Sequence, residues 1–465
     1  MKSSTLFTLL VLVTGNLLAF NAHAGQSDVT CSYHHTLGDD SIMMPGKPNQ
    51  AMLHDFFGNT HTDAFSTYAS LRSQPETTCN NKADGSAYWV PSMRLPDGEK
   101  VRPSYQKTYY QSTNDAANPM TPFPAGLALL AGDHHGSAPS HHITFLCANG
   151  KGYSNKAGEV CGLRSKGDAV QFNVGIQFPD CWDGIHLMPG HGQPNAAYSS
   201  QGVCPAGFPL KMPTVNLNVV WVLPQITHLD TAKIQFSMDP VMEGNQRIEQ
   251  WGGVYTAHAD FLNGWTEDGA RFMTALCMNN GMDCNHMVPW GYRTASEDTY
   301  VSSAEPDRNF GQSPDLYTRQ NKTNGDQMLT LMKFPIPPLP AGLTEAQKAA
   351  FKYQIRIYGT RVERGEDMIY FSPVVSNNWQ ENDVTWNNRP AMAAGGKTGL
   401  YIGNTREYRY VNVDKEVKKA LADGKTEIAW YLGGDNYDKS YRFNSSETKE
   451  NLVLMLTSYQ DVKEN

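Results

Sequence analysis

Basic runs are missing from this chain. Its 38 Lys and Arg are outnumbered by 46 Asp and Glu, for a net charge of −8, and no stretch concentrates the positive charge. A surface that tracks a phosphate backbone needs such a stripe, so nucleic acid is excluded as a partner. Long apolar runs are missing too. Beyond residue 24 none reaches the ~18 residues of a membrane span. Charge of either sign is scarce at 18%, yet 40% hydrophobic residues keep the composition globular rather than disordered. Glycine and proline, at 40 and 27 residues, are too few for collagen-like or low-complexity architectures. There is no G-x-S-x-G elbow, no H-E-x-x-H, no phosphate-binding glycine loop and no dinucleotide fingerprint. The familiar serine hydrolases, zincins, kinases and dehydrogenases are thereby set aside. Cysteine is absent after residue 284, and no C-x-x-C or Cys/His set has zinc spacing.

What is present points outside the cytoplasm. Residues 1–24 read as a secretory signal: Lys2, an apolar core from Leu6 to Phe20, and Ala22-His23-Ala24 as a small-x-small cleavage site. The mature protein is expected to begin near Gly25 and to be secreted or periplasmic. Eight cysteines, an even number, suit an oxidising compartment and disulfides. Neighbour pairing is the expected connectivity: Cys31–Cys79, Cys147–Cys161, Cys181–Cys204 and Cys277–Cys284.

The 465 residues are enough for two or three domains, and the composition changes near Thr294–Asp298. Residues 25–295 hold every cysteine and are rich in Gly, Pro, Asn, His and aromatics, the grammar of short strands and long loops. Ala169–Phe178 and Thr214–Leu223 are its clearest strands, and Asn263–Leu276 its best helix. Residues 296–465 alternate more cleanly. Strands are expected at Gln327–Phe334, Tyr353–Tyr358, Met368–Pro373, Glu427–Leu432 and Leu452–Leu456, the spacing of a β-sandwich. Helical inserts are expected at Thr344–Lys352 and Asp414–Ala422, the second with Asp414 as N-cap. The fold class is mainly β: a loop-rich, disulfide-pinned β domain followed by a β-sandwich.

Four segments of the first half concentrate polar chemistry. In His54-Asp55-Phe56-Phe57-Gly58 a carboxylate beside an imidazole can orient a general base; a capped turn with a satisfied histidine is the plainer alternative. In Asn80-Asn81-Lys82-Ala83-Asp84 followed by Tyr88-Trp89, Lys82 can bond sugar hydroxyls and Tyr88 or Trp89 can stack on a sugar face, unless the aromatics simply pack a core. In Asp180-Cys181-Trp182-Asp183-Gly184 two carboxylates flank a Trp. Glycosidic cleavage uses such a pair, although Asp is also frequent in turns for backbone reasons. In His258-Ala259-Asp260-Phe261, a His-x-Asp on a strand puts both groups on one face, where they can act as a couple or serve structure alone. His134-His135 and His141-His142 bracket a Gly/Ser/Pro loop, where adventitious metal binding is expected. No metal ligands are assigned.

Taken together and in this order, the segments resemble the family called domain of unknown function 1996. The likeness rests on Met44-Pro45-Gly46, His54-Asp55-Phe56-Phe57-Gly58, Tyr88-Trp89-Val90-Pro91, Phe123-Pro124-Ala125-Gly126-Leu127, Ala131-Gly132-Asp133, Phe178 to Gly184, Cys204-Pro205 and His258-Ala259-Asp260-Phe261 before Gly264-Trp265. The family's usual His-x-His has Met52 in place of its first histidine here, and Asn195 stands where another histidine is usual. The second half resembles the DNRLRE-type domain, similar to carbohydrate-binding module family 96. The matching residues are Asp298-Thr299-Tyr300-Val301, Asn309-Phe310-Gly311, Trp379-Gln380-Glu381 through Thr385-Trp386-Asn387-Asn388-Arg389-Pro390, and Phe443-Asn444-Ser445-Ser446-Glu447. This resemblance implies a jelly-roll that binds polysaccharide, with calcium in some cases; Trp379 and Trp386 can equally pack the sandwich.

The expected protein is therefore secreted, and binds and cleaves an extracellular or cell-wall polysaccharide as a hydrolase or lyase. His54, Asp55, Asp180, Asp183, His258 and Asp260 are the candidate catalytic groups. Lys82, Tyr88, Trp89, Asp133, Trp182 and Asn195 are the candidate substrate contacts. His54, Asp180, Asp183, His258 and Asp260 are expected to meet in one cleft. The alternatives are a non-catalytic polysaccharide-binding adhesin or matrix protein, and a metal-dependent redox protein.

Overall fold

Apolar and β-branched residues at every second position give each strand a face to bury, and in this chain those faces close over two cores. The structure, a computed structural model, describes residues 25–112, 118–244, 246–321, 323–434, 438–449 and 451–462. The expected signal segment, residues 1–24, lies outside them. The chain is mainly β, with 42% strand against 10% helix. Among the described residues no helix is long and apolar enough to cross a membrane.

The first core lies inside a nine-stranded antiparallel sheet. Its strands are β1 (Gln26–Leu37), β2 (His54–Gly58), β3 (Ala87–Pro91), β4 (Tyr105–Gln111), β5 (Ala128–Gly132), β6 (Ile143–Cys147), β7 (Val170–Gln177), β8 (Thr214–Leu223) and β9 (His258–Leu262). The spatial order is β5-β9-β3-β2-β1-β4-β8-β7-β6. Strand β1, the central one, joins the two halves of the sheet. Gln26 to Ser32 pair with β4, Tyr33 to Leu37 pair with β2, and the register shifts between Tyr33 and His35. An irregularity of this kind bends a strand, and the two halves of the sheet share one apolar cluster. Phe57, Tyr88 and Phe261 enter it from one side, and Tyr110, Phe172 and Leu217 from the other. The Tyr88 hydroxyl donates to Asp84 at 2.6 Å and meets the Tyr110 hydroxyl, which accepts from Trp265 Nε1 at 2.9 Å.

Four disulfides join Cys31–Cys79, Cys147–Cys161, Cys181–Cys204 and Cys277–Cys284, the neighbour pairing expected from the sequence. They pin the loops of a half that has few helices. The helix expected at Asn263–Leu276 begins at Glu267, because the Thr266 hydroxyl caps it by accepting from Gly269 N–H at 3.0 Å. After Arg271 it widens into a π-helical turn, Phe272–Cys277.

The second core is built by strands from Gly291–Thr294 to Val453–Thr457. The expected strands are there, at Gln327–Pro335, Lys352–Arg361, Asp367–Pro373, Glu427–Gly434 and Val453–Thr457. Both helical inserts are present, as Glu345–Ala350 and Asp414–Ala422. Thr344 caps the first in a full capping box. Asp414 does not cap the second: Val413 holds that position, and the Asp414 carboxylate accepts from Tyr353 N–H at 3.2 Å and pairs with Lys418 at 3.0 Å.

The second sheet reaches back into residues assigned above to the first domain. Gly291–Thr294 pairs with Val453–Thr457, so the chain has changed sheets before residue 296. The halves pack closely. Val453 and Met455 join the first core. The backbone of Lys82 donates to Ser458 O at 2.9 Å, and Gln460 donates through its side chain to Thr77 O and Cys79 O at 2.8 and 2.7 Å. Arg356, fully buried, lies between the rings of Phe272 and Tyr408.

Candidate functional site

The alternation of β2 decides which of its groups can share a site. Asp55 and Phe57 point to the inner core, whereas His54 and Phe56 point to the outer face. The same period puts His258, Asp260 and Leu262 of β9 on that outer face, above Phe56 and Trp89. Across the sheet, His54 pairs with Pro91, and Pro91 lies beside β9 at the level of His258. The two imidazole centroids are 6.1 Å apart, ring edge to ring face. One ligand atom each from His54, His258 and Asp260 then lies within 4.8 Å of the others.

Backbone carbonyls fix both rings. His54 Nδ1 is 3.0 Å from Asp39 O and His258 Nδ1 is 2.9 Å from Thr256 O. A carbonyl only accepts, so both Nδ1 atoms carry the proton and both Nε2 atoms keep a lone pair. His54 Nε2 and Asp260 Oδ2 are buried with no hydrogen-bond partner. Burial lowers the His54 pKa to about 4. Burial, with His54 beside it, lowers that of His258 to about 4. Both are neutral imidazoles near pH 7. Burial, then the nearby Asp40 carboxylate, pushes the Asp260 carboxyl well above its usual range.

The residues between β1 and β2 cover this face. Asp40 anchors the covering loop, its Oδ1 accepting from Ile42 and Met43 N–H at 2.7 and 2.9 Å. A cavity of about 190 Å³ opens between loop and sheet, lined by Asp40, Met43, Met52, His134, His191 and His258 among others. The His134 ring is 6.0 Å from that of His258. Asp40, His134, His191 and Asp239, another lining residue, were not anticipated. All but Asp239 come from loops, where no periodic pattern marks a residue as facing a site; only the His134-His135 pair drew notice.

Of the five residues expected to meet, His54, His258 and Asp260 do. Asp180 and Asp183 do not line this cavity. Asp180 is 2% exposed, and its carboxylate accepts from Lys211 at 2.5 Å and from Ser199 N–H and Oγ at 2.7 and 2.8 Å. It holds the short sheet of Cys181–Trp182, Ala196–Ala197 and Leu210–Lys211 together. Asp183 is a turn residue, accepting from Ile185 and His186 N–H at 2.8 and 2.9 Å and pairing with the exposed His186 ring. Asp55 lies on the opposite face from His54, where it accepts from Thr36 and Ser92. Burial raises its pKa to about 6, but it cannot orient His54.

The candidate substrate contacts fare differently from one another. Tyr88 and Trp89 are 0% exposed and cannot stack on a sugar, because both faces of β3 are covered. Trp182 is buried and donates to His186 O at 2.8 Å. Asn195, also buried, donates to the carbonyls of Ala128, His186 and Leu187. Ala128 pairs with Leu262, whereas His258 pairs with Gly132, so Asn195 serves the other end of β9. Lys82 lies against the second half through its backbone. Asp133 is exposed beside His135, His141 and His142 at a separate pocket.

In the second half, Trp379 is buried among Val301, Leu331 and Tyr431, and Arg389 lies 3.7 Å from the Trp386 ring centroid. Asp298 accepts from Ser446 N–H through both oxygens, and its own N–H donates to Glu381 at 3.1 Å. Three separated motif segments thus meet at one carboxyl. Among the described residues, no group of three close metal-ligating atoms occurs in this half.

Comparison with known families divides the chain in the same way. Residues 40–265 match the model of a domain of unknown function (DUF1996), and residues 289–458 match that of carbohydrate-binding module family 96. No curated protein matches the chain. The second match supports carbohydrate binding by the C-terminal half.

Proposed function

We propose that this protein is exported, holds an extracellular polysaccharide through residues 289–458 and cleaves it in the cleft above His54, His258 and Asp260. In this reading residues 1–24 are the leader, and the two working units meet near residue 289. The observation that carries cleavage is the convergence of His54, His258 and Asp260 on one another, with His258 and Asp260 lining a cavity and His54 Nε2 and Asp260 Oδ2 left without partners. Core packing does not require such a set, and chemistry does. A lone-pair nitrogen accepts a proton from water or from a carbon beside a uronate carboxylate. A neutral carboxyl returns one to the leaving oxygen. His258, at the mouth of the cavity, is the accepting group, and Asp260 the donor. His54 lies buried beside His258, its ring centroid 6.1 Å away. Asp180, Asp183 and Asp55 serve structure.

The test is a reducing-end assay on a panel of polysaccharides, with the absorbance of unsaturated uronates followed in parallel. New reducing ends without that absorbance identify a hydrolase, and both together a lyase. Retention of a polymer with no new ends would leave a binding protein and refute the cleavage reading.

A further inference from the structure

The geometry points to a second property of the same floor: we infer that His54, His258 and Asp260 form a binding site for a divalent transition-metal ion. Metal-binding histidines use one nitrogen on the ion and hold the other N–H against a carbonyl or carboxylate, which sets tautomer and ring angle. Both rings already stand in that arrangement, through Asp39 O and Thr256 O. The unpartnered atoms are the ones a metal would take. His54, 1% exposed, leaves Nε2 without a partner, and Asp260, 3% exposed, leaves Oδ2 without one. An unsatisfied buried polar atom is costly, and two within one group of three are explained together by a shared ligand.

The donor set selects the class of ion. Two imidazoles and one carboxylate suit zinc and its first-row neighbours, whereas calcium and magnesium prefer all-oxygen shells. The three ligand atoms lie within 4.8 Å of one another. An ion bound at about 2.0–2.2 Å would draw them to about 3.4 Å, a change within reach of side-chain rotation. Binding takes the His258 lone pair and displaces the Asp260 proton, so the metal-loaded floor is a different state from the metal-free one in which those two groups act as base and acid; its three protein ligands leave a position open toward the cavity, as sites that activate water do. Met43, Met44 and Met52 line the same cavity and keep it apolar. The rival site is His135, His141 and His142, which lie at a separate pocket.

Metal occupancy can be read without any substrate, so its failure and the failure of the cleavage reading are separable. Chelator-stripped protein is dialysed against Zn2+, and bound zinc per chain is measured by elemental analysis. Co2+ serves as a spectroscopic probe, and Ca2+ as a control. The expected result is about one Zn2+ per chain, visible d–d bands with Co2+ and no Ca2+. Asp260→Asn and His258→Ala, each confirmed as folded by circular dichroism, should weaken Zn2+ binding by 10-fold or more. The His141→Ala/His142→Ala double variant should bind as the wild type does. No zinc on the stripped wild type would overturn the inference, as would full binding by Asp260→Asn and His258→Ala together with loss in the double variant.

Discussion

Replacing Asp298 by Asn should make the protein more stable at high pH, and the size of the gain follows from where the carboxyl sits. Asp298 is buried in the second half, and burial raises its pKa to about 7, opposed by the Ser446 N–H bonds and reinforced by the Glu447 and Glu381 charges. In the unfolded chain the value returns to 3.8. A carboxyl that holds its proton more tightly when folded penalises folding once the unfolded chain has ionised. The penalty therefore begins near pH 4, grows as pH rises and is complete above about 7. At 1.36 kcal/mol per pKa unit it is roughly 1 kcal/mol at pH 4.5 and roughly 4 at pH 8. The amide keeps an oxygen for Ser446 N–H and cannot ionise. Urea unfolding of both proteins at the two pH values, in chelator, should show the advantage of Asp298→Asn growing by about 3 kcal/mol from pH 4.5 to pH 8. A difference that stays constant, or an aspartate that gains on the amide as pH rises, would refute this account of the site.

Other outcomes follow from the same structure. Asp180→Ala leaves Lys211 buried and unpaired, which typically costs 3–5 kcal/mol; thermal unfolding should show the loss, and adding Lys211→Met should recover most of it. A fragment beginning at residue 289 should give the far-UV circular dichroism of a folded β protein and be retained in polysaccharide affinity gels. One beginning at 296 lacks the paired strand Gly291–Thr294 and should melt earlier. Arg356 is buried with Nε and Nη2 lacking hydrogen-bond acceptors, so Arg356→Met should cost less than about 1 kcal/mol in chemical denaturation, or stabilise, as well-packed replacements of buried charges do.

The strands were legible because alternation is a local signal. Thr214–Leu223 lies where its pattern of Val and Asn puts it. The pairing of His258 with Asp260 on one face was legible for the same reason. What escaped is whatever depends on distant partners. Asp180 reads as a candidate acid until Lys211, 31 residues away, is seen to hold it. Tyr88 and Trp89 read as a sugar platform because a strand covered on both faces has no polar side to reveal it. Asp40 carried no signal at all. The Asp414 reading failed by one residue, since an aspartate in the first helical turn and one at the cap look alike in sequence.

The cleft is the centre of this account, and Asp260→Asn tests it most directly. The substitution keeps the shape of a carboxyl and removes its proton chemistry. On a polysaccharide that the wild type retains and cuts, polymer retention and new chain ends should be counted in the same samples. Retention should be unchanged, while chain ends fall by about 10²-fold or more. Full cleavage by Asp260→Asn, or a wild type that produces no chain ends on any polymer it retains, would contradict the account.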